Sequence, residues 1–183
     1  MRPLYESYAI FGEFTKNGLD TEEMKAGLPN RIFNETEAIH GNDIEIKKKS
    51  NNEIIRLKPG VYRISGVSFL TMLEAGTPPV PPVPVQYLSD VYPGYCILYD
   101  AENPPTEDGN MSGIICVGTM GTAYDSGPSI FDCVLEVKKK PMEISLGHQC
   151  TYDNPKGLRP KVYLRIGGTD NHVCARISIF KIA

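Results

Sequence analysis

The side chains that could do chemistry are few and far apart. Cys96, Cys116, Cys133, Cys150 and Cys174 never occur as C-x-x-C, so no zinc-ligand pair is spelled out. Their odd number also rules out a complete internal disulfide framework. All but Cys150 stand inside apolar stretches, where a reduced thiol packs as a small hydrophobe. Cys150, two residues after His148, is the one thiol with the local base that a cysteine nucleophile needs. The histidines are His40, His148 and His172, with no H-x-H among them, whereas a metal site mounted on a strand groups two histidines with a glutamate. His148 follows Met142, Ile144 and Leu146 in phase and reads as an inward, hydrogen-bonded histidine rather than a ligand. Asp100, Glu102, Asp108 and Asn110 offer oxygens to a hard cation but miss calcium-loop spacing, and read as a solvated loop. Gly118-Thr119-Met120-Gly121-Thr122 lacks the lysine and following helix of a phosphate loop, and no G-x-S-x-G elbow occurs. The remote carboxylate pair of a glycosidase leaves no spacing signature. A carbohydrate-active or metal-dependent enzyme therefore stands as the alternative reading, with no catalytic, cofactor-binding or metal-ligating residue assigned.

Charge and hydropathy narrow the partners. A net charge of -3 with a pI near 5.6 gives no electrostatic grip on phosphate, which argues against DNA or RNA. The lysine runs 47–49 and 138–140 lie beside turns, where they protect strand ends. No apolar run approaches the roughly 20 residues needed to cross a bilayer, so membrane insertion is not expected. Residues 1–7 lack the order of a secretory leader. The expectation is synthesis without a signal peptide, in the cytoplasm or built into a particle, and the sequons at Asn34 and Asn110 then read as coincidence. The proline-rich stretch 77–85 favours an extended polyproline conformation. It reads as a stiff connector; as bait for an aromatic groove, the basis of an adaptor reading, it lacks a flanking Arg or Lys.

The elements that must position any site are strands, because period-two alternation recurs and helical spacing hardly appears. Phe131, Cys133, Leu135 and Val137 alternate with polar residues over 129–137, Met142, Ile144 and Leu146 over 142–147, and Val162, Leu164 and Ile166 over 161–166. Val173, Ala175, Ile177 and Ile179 share one face with Phe180 and Ile182 on the other, so the C-terminal strand is expected inside a sheet. Residues 7–14, 31–33, 44–47 and 53–57 add short strands. Pro-Gly and Asp-Gly turns separate them at the spacing of an all-β, about ten-stranded antiparallel jelly-roll sandwich. Only 21–27 reads as a short helix. Residues 1–30 form an N-terminal segment packed on or extending the domain at 31–183. Strands over 61–73, 94–100 and 114–120 are apolar on both faces, and Gly66 is placed to make a bulge. Strands of that kind need cover outside as well as inside, and a neighbouring copy supplies it.

From Arg56 to Ile64 the sequence RLKPGVYRI, and from Ala175 to Ile182 the sequence ARISIFKI, resemble the opening of the long strand and the terminal strand of the C1q and tumour-necrosis-factor jelly roll. The strand pair over 129–148 is similar to the pair before that family's last hairpin. The resemblance covers about residues 31–183 and points to bacterial or phage-borne members, without a collagen-like stalk. It implies a compact homotrimer without catalysis or cofactor, binding an unknown protein or glycan or serving as a structural part, for example in a phage or prophage appendage. Val67, Phe69, Tyr99, Ile115 and Val117 are the candidate contacts between copies, chosen by strand phase.

Overall fold

Alternating side chains force each strand to hide one face, and two sheets laid face to face hide both sets at once. The computed structural model describes residues 5–16, 28, 30–49, 52–69, 93–106, 110–122, 128–150 and 171–183, without the side chains of 15, 16, 49, 52, 93, 122, 150, 171 and 172. Among these, the strands are β1 (Tyr8–Lys16), β2 (Glu35–His40), β3 (Ile44–Lys49), β4 (Asn52–Leu57), β5 (Gly60–Ser68), β6 (Pro93–Asp100), β7 (Ile114–Val117), β8 (Gly121–Thr122), β9 (Ser129–Val137), β10 (Met142–Cys150) and β11 (Asn171–Lys181). The first sheet runs β2-β1-β11-β5-β9 and the second β3-β4-β10-β6-β7, with β8 paired to β6. Every ladder is antiparallel. The protein is an all-β jelly-roll sandwich.

The core lies between the sheets. Phe11, Tyr62, Ile64, Phe131, Ile177 and Ile179 enter it from the first, and Ile55, Leu57, Leu98, Ile144 and Leu146 from the second. Phase predicts β9 correctly, with Phe131 and Val137 buried and Ile130, Asp132, Val134 and Glu136 exposed. It also predicts β11, whose Val173, Ala175, Ile177 and Ile179 are all buried. This strand lies between β1 and β5, so the C-terminal strand is held inside a sheet. Beyond it, Ile182 N donates to Val61 O at 2.8 Å and Val61 N donates to Ala183 O at 2.6 Å. Nearby, Asp43 accepts from Ser7 Oγ at 2.6 Å and pairs with Lys181 at 3.3 Å. The Ser7 hydroxyl and the Lys181 charge outweigh desolvation and hold the Asp43 carboxyl below its ordinary range.

Several expectations need correction. Residues 31–33 are irregular rather than a strand; Asn30 makes an isolated bridge to Gly147, and Arg31 N donates to Leu146 O at 2.8 Å. Residues 35–40 form β2, whose mostly exposed side chains carry no alternation because it is a sheet edge. The 114–120 segment breaks after Val117, and β8 follows as a separate short strand. His172 falls within β11. The 61–73 strand ends at Ser68, and its continuation, the 161–166 strand, the 21–27 helix and the proline-rich stretch lie outside the described residues.

Gly66 makes no bulge: the ladders to β9 and β11 run through it without a register shift. Its role is space. A Cβ there would collide with the Phe131 ring and approach the Arg176 carbonyl oxygen to 2.9 Å. Gly41, in the β2–β3 turn, is instead required by its backbone, with φ of 78°. Gly66→Ala is expected to lower stability by about 1–3 kcal/mol through overpacking against Phe131, read as a lower urea midpoint with unchanged slope.

Candidate interaction surface

The two sheets differ on their outward sides. On the second, Ile54, Ile97, Tyr99 and Ser145 are all under 8% exposed within the single chain. On the first, the outward side stays open, and cross-strand register builds it row by row. One row is His40 (β2), Tyr8 (β1), Phe180 (β11), Arg63 (β5) and Val134 (β9); another brings Arg176, Val67 and Ile130 together. Tyr8 stacks on His40 at 5.5 Å and on Phe180 at 6.2 Å, and Tyr5 lies 4.9 Å from Phe180. Bidentate pairs frame these apolar groups: Arg63 to Asp132 at 2.7 and 3.2 Å, and Arg176 to Glu37 at 2.6 and 2.7 Å. The Arg63 pair depresses the Asp132 carboxyl, the hydrogen bond outweighing desolvation. At the end of the sandwich where β9 and β7 are the edge strands, Val117, Met120, Ile130 and Val134 are 50–64% exposed. Of the other two edge strands, β2 and β3, the latter is defended by Lys47 and Lys48, paired to Glu45 and Glu53 at 3.4 and 3.3 Å.

The contact candidates fall on both sheets. Val67 lies on the open side of the first, half-buried between Ile130 and Arg176. Val117 is exposed on β7, and Ile115 beside it packs against the core. Phe69 and Tyr99 are covered by the chain itself, at 7% and 4% exposure. Phe69 N donates to Cys174 O at 3.0 Å, and the Tyr99 hydroxyl donates to Asn30 Oδ1. Both are buried within the single chain, and Arg31 also donates to the Phe69 carbonyl. Phase reasoning missed Tyr8, Phe180, Ile130 and Val134. Ile130 and Val134 were legible as apolar residues on a face otherwise occupied by Asp132 and Glu136.

The densest polar cluster is sealed. Arg31, with no exposed side-chain surface, pairs with Glu13 at 3.6 Å, donates through Nε to Ser68 Oγ at 2.8 Å, and donates through Nη2 to Phe69 O. Ser68 Oγ also shares a hydrogen bond with His148 Nδ1 at 2.7 Å. Ser68 and His148 are 0% and 1% exposed. A serine with a histidine base suggests acyl chemistry, but no substrate reaches this oxygen, and the arginine withdraws electron density from it. The cluster instead ties residues 30–33 to β5 and β10. The inward histidine is where phase places it. The Cys150 side chain lies outside the described residues. Asp100 of the expected solvated loop accepts from Glu102 N and Asn103 Nδ2 at 3.0 and 2.7 Å, and Asn110 accepts from Ser112. Among the described residues no group of three or more His, Cys, Asp or Glu converges as metal ligands, and no helix is long and apolar enough to cross a membrane.

No protein-family profile and no curated protein matches the chain. Solved structures do. Murine APRIL at pH 8.0 aligns with a TM-score of 0.50 and 11% identity, over 96% of this chain and 98% of that one. PRD1 vertex protein P5 aligns with a TM-score of 0.49 and 10% identity, over 98% and 99%. The chain shares a jelly-roll fold with murine APRIL, in keeping with the resemblance noted in the sequence. At such identity the likeness establishes the fold alone.

Burial, followed by the nearby Arg31 charge, pushes the His148 pKa down to about 2. An unfolded histidine titrates near ~6.5, so below that pH the unfolded chain binds a proton that the folded chain refuses, and stability falls with pH. Urea unfolding is expected to show this histidine's contribution as about 1.4 kcal/mol lost per pH unit between roughly pH 6 and 5. His148→Asn, which keeps a polar partner for Ser68, removes that slope.

Proposed function

We propose that the protein is a non-enzymatic module that works as a homotrimer, in a structural role or presenting exposed loops to a protein or glycan. One observation carries this reading: the chain covers the outward side of its second sheet but leaves that of the first open, with Ile130 and Val134 more than half exposed at its edge. Two unlike patches favour head-to-tail contact, and a heterologous contact that closes forms a ring. The apolar corner of Val117, Met120, Ile130 and Val134 is one patch; the aromatic row of Tyr8, His40 and Phe180 is the other. The aromatic row runs from the central strand β11 to the edge strand β2, so its far end, His40, lies about 19 Å from Val134 on β9 at ordinary strand spacing, and one copy can engage a neighbour on each side. Val67 sits between the patches. Ile115 lies beside Val117 on β7, Tyr99 pairs with Ile114 of that strand, and Phe69 is buried within the chain. The sealed Ser68–His148 pair supports a role without catalysis.

Light scattering coupled to size-exclusion chromatography tests the assembly. The expected mass is about three times the 20.2 kDa chain. Ile130→Asp with Val134→Asp is expected to yield folded monomer with unchanged circular dichroism, and Val117→Asp to weaken the trimer. A wild-type monomer at micromolar concentration, or a trimer indifferent to these substitutions, overturns the reading.

A further inference from the structure

Beneath the exposed corner, two thiols face one another from different sheets. Cys116 sits opposite Leu98 in the β6–β7 ladder, and Cys133 opposite Ile64 in the β5–β9 ladder. Leu98 and Ile64 are fully buried core residues, and both cysteines pack against that core, so the two side chains enter the same interior from facing edge strands. There they meet. The Cys116 sulfur is a close enough neighbour to raise the pKa of the Cys133 thiol, and it donates to the Val117 carbonyl at 3.8 Å. Both are free and half-buried, whereas Cys96 and Cys174 are buried, and Cys96 is engaged by Ser129 at 3.2 Å. Burial, the neighbouring sulfur and Asp132 push the Cys133 thiol up to about 12.

We propose that Cys116 and Cys133 form an oxidisable dithiol, a site for small-molecule disulfides, which closes into a covalent staple between the two sheets. Cys116, on a short edge strand whose ladder to β6 already carries an irregularity, meets the oxidant first. Its thiolate attacks one sulfur of the small disulfide, forming a mixed disulfide and releasing one small thiol. Cys133 then loses its proton to solvent and attacks the Cys116 sulfur, expelling the second small thiol. Two protein thiols are oxidised and one small disulfide is reduced. Because Cys133 is held protonated, closure is slow near neutrality and speeds up as pH rises. The staple closes a loop of intermediate length, and the restraint it places on the unfolded chain grows with that length. The proposal is independent of the trimer.

The test uses the full chain with oxidised glutathione. Peptide mapping without reductant is expected to find Cys116 joined to Cys133, with two hydrogens lost from the intact mass and a Tm raised by about 5–10 °C. Cys133→Ser is expected to trap glutathione on Cys116, whereas Cys116→Ser leaves Cys133 unmodified. Linkage of a different pair, a wild-type protein that stops at the mixed disulfide, or complete resistance to the oxidant would each overturn the assignment. Mapping of the wild type decides the matter even where a variant folds poorly.

Discussion

The structure depends on burying two alternating faces against each other, and β11 is where that burial concentrates. It contributes Val173, Ala175, Ile177 and Ile179 to the interior while its backbone is paired along both edges, to β1 and to β5. Its other face carries Arg176 and Phe180, which organise the open side of the first sheet through Glu37 and the stacked Tyr8. The same strand thus sets the packing inside and the chemistry outside. Ile179 and Phe180 are adjacent in the chain but belong to different environments because successive side chains point opposite ways.

Two kinds of polar device complete the sandwich. One is open to solvent: Arg63 with Asp132, and Arg176 with Glu37. Such pairs contribute little to stability but fix the orientation of groups on a face otherwise apolar. The other is closed. Arg31 is fully buried, and its charge is tolerable only because Glu13, Ser68 and the Phe69 carbonyl surround it. Removing one partner would strand a charge in the interior. The position of residues 30–33 is therefore set by an all-or-nothing interaction, although they form no strand.

What the sequence revealed follows from which forces leave a periodic trace. β9, β10 and β11 were legible because one face is buried and the next polar. The pattern placed His148 inward without saying that Ser68 and Arg31 would meet it from residues remote in sequence. β2 was not legible: an edge strand reading Glu-Thr-Glu-Ala-Ile-His buries almost nothing and has no reason to alternate. Gly66 was noticed for the wrong reason, since glycine in a strand signals either a bulge or a close approach, and only the Phe131 ring distinguishes them. Of the two-faced apolar strands, β6 has its outward Ile97 and Tyr99 buried within the chain itself, whereas Val117 on β7 stays exposed. The contact between Cys116 and Cys133 left no trace in the sequence, because it arises from bringing the edges of separate sheets together.

The position of β11 also governs the order of events during synthesis. The first strand described, β1, needs β11 as its inner neighbour, and β5 needs it too, so on the ribosome both must wait, one edge unsatisfied, until the polypeptide has been translated through Lys181. Until then the first sheet consists of two separate pairs, β1 with β2 and β5 with β9, each presenting an open β edge to its surroundings.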